Sequence, residues 1–158
     1  MKKCVFAGTF DPVTNGHLEV VNKALKDFDQ VVVALGVNPE KTPYFSKQTR
    51  LELLRATFGE NDRVEVCAYE GLTVDFMREK GIDATVRGIR NSTDLAYEKI
   101  MKENNEKMYP EIDTIFYECS KETQEISSTL VREKLKNGES IKGLVPDKAL
   151  EIILERNT

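Results

Sequence analysis

Phe6-Ala7-Gly8-Thr9-Phe10-Asp11-Pro12-Val13-Thr14-Asn15-Gly16-His17 carries more information than any other stretch of this chain. It follows an apolar run, Lys3-Cys4-Val5-Phe6, that reads as a first strand. It precedes a helix whose apolar positions Leu18, Val21, Ala24, Leu25 and Phe28 recur at helical spacing. A glycine-bearing turn from strand to helix is where an α/β protein holds phosphate. The first N–H groups of a helix lack intrahelical partners and carry partial positive charge. The distinctive element is Thr14-x-Gly16-His17, which puts the only histidine of the chain in the first helical turn, where it can donate to a phosphate. Taken alone, Thr14 and Asn15 read equally well as N-cap residues, and Asp11-Pro12 as an ordinary turn.

Outward from this segment the chain alternates. Strand-like runs fall at Cys4–Ala7, Val31–Val37, Val64–Cys67, Ala84–Val86 and Thr114–Tyr117. Helical patterns fall at His17–Phe28, Ser46–Phe58, Thr73–Lys80, Asp94–Lys107, Ser128–Lys136 and Asp147–Arg156, the last two punctuated by Gly138 and Gly143–Pro146. The alternation predicts a single α/β domain over residues 1–158: a Rossmann-like, doubly wound, five-stranded parallel sheet with helices on both faces and C-terminal helices. In such sheets ligands bind at the carboxyl ends of the strands, where strand order reverses. The chemically able residues follow predicted strands, as that rule requires: Thr9 and His17, then Asn38-Pro39-Glu40-Lys41, Glu70-Gly71-Leu72-Thr73, Arg87-Gly88-Ile89-Arg90, and Ser120 to Thr129. A histidine, a lysine, two arginines and a hydroxyl-rich helix start at one sheet edge suit a substrate with several phosphates.

Composition narrows the choice. At 158 residues the chain can bury a real core, and 40% hydrophobic with 32% charged residues is an ordinary soluble balance. A formal net charge of −4 disfavours a general nucleic-acid surface, so an anion must be held by a local basic cluster. No apolar run approaches the roughly 18 residues of a membrane span. The chain enters a strand directly after Met1-Lys2-Lys3, leaving no room for a signal peptide. Cys4, Cys67 and Cys119 are scattered, which suggests neither a disulfide framework nor a zinc site and fits a reducing cytoplasm. There is no P-loop, no Gly-x-Gly-x-x-Gly after the first strand and no nucleophile elbow. One histidine among scattered cysteines makes a tight transition-metal site improbable.

The other candidates each have two readings. Lys41 is either a solvated loop lysine or a phosphate ligand. Arg87 and Arg90 flank a glycine after a buried strand as a compact pair of forked donors, or else pair with Asp94 or Glu98 on the following helix. Ile126-Ser127-Ser128-Thr129 is a helix cap or a phosphate cradle. Three hydroxyls exceed what one cap needs, and no capping-box acid follows at the right spacing.

Gly8-Thr9-Phe10-Asp11-Pro12-x-Thr14-x-Gly16-His17 resembles the signature of the nucleotidyltransferase α/β superfamily in its Thr-x-Gly-His form. From Met1 to the last helix the chain resembles the bacterial phosphopantetheine adenylyltransferase family. Supporting features are Lys41, Arg87-Gly88-Ile89-Arg90, Tyr97-Glu98 and the segment Ile126-Ser127-Ser128-Thr129-Leu130-Val131-Arg132-Glu133. The first motif marks only the superfamily. Its combination with Arg-Gly-Ile-Arg and Ile-Ser-Ser-Thr at these spacings is specific to the family.

The resemblance implies adenylyl transfer from ATP to 4′-phosphopantetheine, giving dephospho-coenzyme A and pyrophosphate. It implies Mg2+ shielding the triphosphate, a homohexamer, and inhibition by coenzyme A. The implied catalytic residues are His17, Lys41, Arg90 and Thr9. His17 would donate to an α-phosphate oxygen, Thr9 with the Phe10 backbone would hold the attacking phosphate or the α-phosphate, and Lys41 would bridge the reacting phosphates. Arg87 would grip the acceptor phosphate, while Thr73 and Asn105 would line the pantetheine arm. Arg90 and the Ser127–Thr129 helix start would hold the β,γ-phosphates. Gly88, Ile89, Glu98, Thr123, Gln124, Glu125 and Ile126 match further nucleotide positions. The chain departs from many relatives in having Thr123-Gln124-Glu125 where they carry aromatics, Thr73 where methionine is common, and Phe6 where some have tyrosine. The alternatives are a sister nucleotidyltransferase acting on nicotinamide mononucleotide or glycerol phosphate, and a nucleotide-binding protein without turnover. Acceptor-dependent pyrophosphate release separates the three.

Overall fold

The computed structural model describes residues 2–156. Five strands, β1 (Lys3–Gly8), β2 (Gln30–Val37), β3 (Val64–Glu70), β4 (Ala84–Ile89) and β5 (Asp113–Glu118), form one parallel sheet in the order β3-β2-β1-β4-β5. The helices are α1 (Asn15–Asp27), α2 (Lys47–Phe58), α3 (Thr73–Lys80), α4 (Ser92–Met108), α5 (Ser128–Lys136) and α6 (Asp147–Arg156). The chain runs outward through β1, β2 and β3, then returns to place β4 on the free side of β1. The strand order therefore reverses between β1 and β4.

Alternation along the strands builds both faces. Cys4, Phe6, Val31, Val33 and Leu35 point to one layer, where they meet Val20, Val21 and Ala24 of α1, Leu53, Leu54 and Phe58 of α2, Val131 of α5, and Ala149 and Ile153 of α6. Val5, Ala7, Val32 and Ala34 point to the other, against Val74, Phe76 and Met77 of α3 with Ile82 and Ile112. Central strands covered on both sides read as continuous apolar runs, as Val31–Leu35 does.

Several boundaries differ from the sequence reading, and three of them bear on the site. α1 begins at Asn15, so His17 lies at its third position behind the cap Thr14. β3 continues to Glu70. β4 continues to Ile89, because Arg87, Gly88 and Ile89 pair with Phe116, Tyr117 and Glu118. Arg87-Gly88-Ile89 is thus the end of a strand, and only Arg90 lies beyond it. β1 follows β2 for six residue pairs from Lys3↔Gln30 to Gly8↔Leu35, but meets β4 in register at Val5↔Thr85 alone. That pair lies at the reversal point of the strand order, where ligands bind in sheets of this kind. Among the described residues no helix is long and apolar enough to cross a membrane, and Cys4, Cys67 and Cys119 are free thiols.

Candidate active site

Two clefts open at the carboxyl ends of the strands. The larger, about 510 Å³, is lined by Lys41 and Asn38 after β2, Tyr69 of β3, Thr73 of α3, and Met101, Lys102 and Asn105 of α4. The smaller, about 380 Å³, is lined by Phe6, Phe10, Thr14, Gly16 and His17, by Gly88 and Arg90, and by Ile126, Ser127 and Ser128. Both volumes lie within the usual range for small-molecule sites. The two share Ala7, Gly8, Thr9, Arg87 and Glu98. Two compartments meeting on a threonine and an arginine can bring two ligands together end to end.

His17 is held by a reciprocal cap. The Thr14 hydroxyl accepts from the His17 amide at 3.3 Å, and the Thr14 amide donates to His17 Nδ1 at 3.0 Å. This is a capping box in which histidine stands where glutamate is usual. Because Nδ1 accepts, the ring proton sits on Nε2, which is left to donate into the cleft. The ring packs 4.8 Å from Phe10 and 5.9 Å from Phe6, centroid to centroid. Burial against these rings, with the nearby cations Arg87 and Arg90, pushes its pKa down to about 4. His17 is therefore a neutral donor at ordinary pH.

The turn before α1 is built from long-range contacts. Phe10 takes φ 43°, a left-handed conformation uncommon outside glycine, and the Asp11–Pro12 peptide is cis. Asp11 is buried, and its carboxylate accepts from the amides of Tyr44 at 2.8 Å and Phe45 at 2.9 Å. It is no ordinary turn residue: it anchors the segment that carries Lys41. Buried Arg50 donates to the carbonyls of Phe45 and Thr9, both at 3.1 Å, tying the same segment to the end of β1. Asn15 Nδ2 and the Asn15 amide donate to the carbonyls of Gly143 and Leu144, each at 2.9 Å.

The arginines adopt the ion-paired reading. Arg87 makes a bidentate pair with Glu98, Nε and one Nη each at 2.9 Å, and its other Nη donates to the Ala7 carbonyl at 2.7 Å, linking β4 to β1. Glu98 is the only buried residue of α4 and lies in the wall between the clefts. Arg90 Nε lies 3.0 Å from Asp94 Oδ2. These pairs leave both guanidiniums beside the clefts, with donor capacity directed by a carboxylate.

The hydroxyl cluster is correspondingly less free than its sequence suggests. Ser127 caps α5 by accepting from the Leu130 amide, the Ser128 hydroxyl donates to the Pro12 carbonyl at 2.8 Å, and Thr129 accepts from Arg132 at 3.0 Å. What α5 offers an anion is its first backbone N–H groups. Thr9, Phe10, His17, Arg87, Gly88, Arg90, Glu98, Ile126, Ser127 and Ser128 line the smaller cleft. Thr9, Lys41, Thr73, Arg87, Glu98 and Asn105 line the larger one. Ile89, Thr123, Gln124, Glu125 and Thr129 line neither: Ile89 is buried, Glu125 is exposed, Thr123 bonds Glu19, and Gln124 donates to the Arg90 carbonyl. Thr73 shares a 2.7 Å hydrogen bond with Tyr69, giving the larger cleft a polar corner.

A family model described as cytidylyltransferase-like matches residues 5–134. A phosphopantetheine adenylyltransferase from Campylobacter fetus subsp. fetus is 40% identical over 152 residues, covering 96% of each chain. The chain belongs to the phosphopantetheine adenylyltransferase family. Its relative from Dictyoglomus turgidum, with the same name, is 38% identical over 156 residues, 99% of this chain and 98% of the other. That from Anaeromyxobacter sp. (strain K) is 38% identical over 152 residues, covering 96% and 93%. The family's nucleotidyltransferase chemistry accords with a two-compartment site. The cytidylyltransferase-like match reaches from β1 into α5, the span that carries both clefts.

Proposed function

We propose that this protein transfers the adenylyl group of MgATP to 4′-phosphopantetheine, releasing pyrophosphate and forming dephospho-coenzyme A. The observation that carries the reading is the pair of clefts converging on Thr9 and Arg87, in a chain of this family. The triphosphate end of ATP belongs in the smaller cleft and the pantetheine arm in the larger. An acceptor phosphate oxygen attacks the α-phosphorus, the bond to the α,β-bridging oxygen breaks, and pyrophosphate leaves with that electron pair. A phosphate monoester is already ionised near neutral pH, with a second pKa of about 6, so no general base is needed. Positioning and stabilisation of developing charge then supply the catalysis.

In this reading His17 Nε2–H donates to an α-phosphate oxygen, and Thr9 and Lys41 hold the reacting phosphates together. Arg87 shares its fork between Glu98 and the acceptor phosphate. Arg90 and the N–H groups opening α5 receive the departing pyrophosphate. Thr73 and Asn105 line the pantetheine arm. Among the described residues no group of three or more His, Cys, Asp and Glu is placed to hold a metal ion, and Asp94 and Glu98 are engaged by arginines. Magnesium would enter with the nucleotide as MgATP and would shield the triphosphate charge. Coenzyme A shares the pantetheine arm and would compete in the larger cleft as an inhibitor. The assembly proposed is a cytoplasmic homohexamer, supported by the exposed apolar side chains Tyr97, Ile100, Met101 and Met108 of α4.

The test is pyrophosphate release from MgATP with 4′-phosphopantetheine, nicotinamide mononucleotide, glycerol 3-phosphate or no acceptor. Release with phosphopantetheine alone, with dephospho-coenzyme A identified by mass, supports the reading. Release with another acceptor moves the enzyme to a sister activity, and none with any acceptor from folded protein overturns it.

A further inference from the structure

Glu19 lines neither cleft yet holds the loop that leads into one wall of the smaller one. Its carboxylate reaches from α1 to the loop between β5 and α5. Oε1 accepts from the Ser120 amide at 2.8 Å, and Oε2 accepts from the Ser120 hydroxyl at 3.2 Å and from the Thr123 hydroxyl. Lys23, one turn along α1, lies 3.3 Å from Oε1 and itself donates to the Glu118 carbonyl at the end of β5. Desolvation pushes the Glu19 carboxyl up, but the hydrogen bonds from Thr123, Ser120 and Lys23 outweigh it and hold the group below the ordinary carboxylate range.

The grip is transmitted along the backbone. The Ile126 amide donates to the Thr123 carbonyl at 2.9 Å, and Ile126 leads directly into Ser127, the cap of α5. Ile126 and Ser127 line the smaller cleft, whereas Glu19 lines neither cleft. On its other side the loop is held by Gln124, which donates to the Arg90 carbonyl at 3.0 Å. The segment that closes the smaller cleft is therefore fixed at two points, one of them a charged acceptor on another helix.

We infer that Glu19 is a positioning residue which, by holding Ser120 and Thr123, sets the affinity of the smaller cleft for MgATP. The inference rests on the nucleotide assignment of that cleft made under Proposed function. A carboxylate accepting several hydrogen bonds is worth more than a neutral acceptor, and its amide isostere replaces acceptor oxygen with donor nitrogen.

The decisive experiment is calorimetric titration of MgATP, without acceptor, into wild type, Glu19→Gln, Thr123→Val and the double variant. It is paired with steady-state kinetics in both substrates. Glu19→Gln is expected to weaken MgATP binding about tenfold, with Thr123→Val similar and the double variant no worse than either single. The KM for ATP should rise while kcat and the KM for phosphopantetheine stay within about twofold, a split that general loosening of the fold does not produce. Glu19→Gln binding MgATP as wild type does, multiplicative effects in the double variant, or proportional loss of every kinetic parameter would overturn the inference. Wild-type protein that binds no MgATP would overturn the functional reading itself, and this inference with it.

Discussion

A single histidine makes the central electrostatic claim about the site directly measurable. With His17 Nδ1 accepting from the Thr14 amide, and the half-buried ring packed beside Phe6 and Phe10 and near two arginines, the folded-state pKa is pushed down to about 4 from an ordinary value of 6.5. At pH 7 only about one ring in a thousand is then charged. The 15N-labelled protein contains one imidazole, so its two-bond proton–nitrogen correlations need no assignment by mutation. They should report the Nε2–H tautomer from pH 8 down to 5 and a midpoint near 4. The same shift is a stability statement. The unfolded chain takes up its proton near 6.5 and the folded chain only near 4, so between those values the unfolded state binds more protons. Stability contributed by the neutral ring is complete above the upper value and falls by about 3 kcal/mol as pH drops through the window, at 1.4 kcal/mol per unit. Urea unfolding at several pH values should show that decline, and His17→Gln should lack it. MgATP should move the midpoint upward, since its negative charge opposes that of Arg87 and Arg90. A midpoint near 6.5 in the free protein, or an Nδ1–H tautomer, would refute the reasoning.

The remaining expectations concern single side chains. His17→Ala should lower kcat by about 10²–10³ while leaving MgATP affinity within a few-fold, because the donor acts on charge developing in the transition state; equal losses of affinity and rate would count against that role. Arg87→Ala should weaken phosphopantetheine binding and also cost about 2 kcal/mol by stranding buried Glu98, discounted for the partial exposure of the arginine. Arg87→Ala/Glu98→Gln should recover that stability in urea unfolding but not the acceptor affinity in calorimetry. Gly88→Ala would set a Cβ 2.8 Å from Val20 Cγ2, a β-branched side chain in the core with little freedom to move. It should lower stability by about 1–3 kcal/mol, and an unchanged melting curve would show that α1 can retreat from β4.

The sheet was legible because its central strands are short apolar runs and its helices show periodic apolar positions, both local signals. What escaped the reading depends on distant partners. Arg87-Gly88-Ile89 looks like a loop by composition, and only pairing with β5 makes it a strand. Asp11 reads as turn chemistry, while its partners Tyr44 and Phe45 lie more than thirty residues away. Glu19 looks like one more charge on a solvated helix face until Ser120 and Thr123 arrive from across the chain. Three consecutive hydroxyls suggested a cradle, but the fold spends them on the α5 cap, on Pro12 and on Arg132. The phosphate-handling types were visible as types. Their sorting into two compartments, with Thr9, Arg87 and Glu98 in the shared wall, required the tertiary arrangement.

The link from Asn15 to Gly143 and Leu144 bears on how the protein can be cut. The family match ends at residue 134, yet the residue two before His17 is bonded to a stretch beyond that limit. Ile141 and Val145, on either side of this stretch, are buried in the layer that also holds α1. A shortened chain stopping at 134 would keep every residue assigned to phosphate and still lose the brace behind its histidine. For protein engineering the indivisible unit is therefore the turn plus its C-terminal strut. A split-enzyme design would do better to break the chain on the far side of the sheet and leave those two segments together.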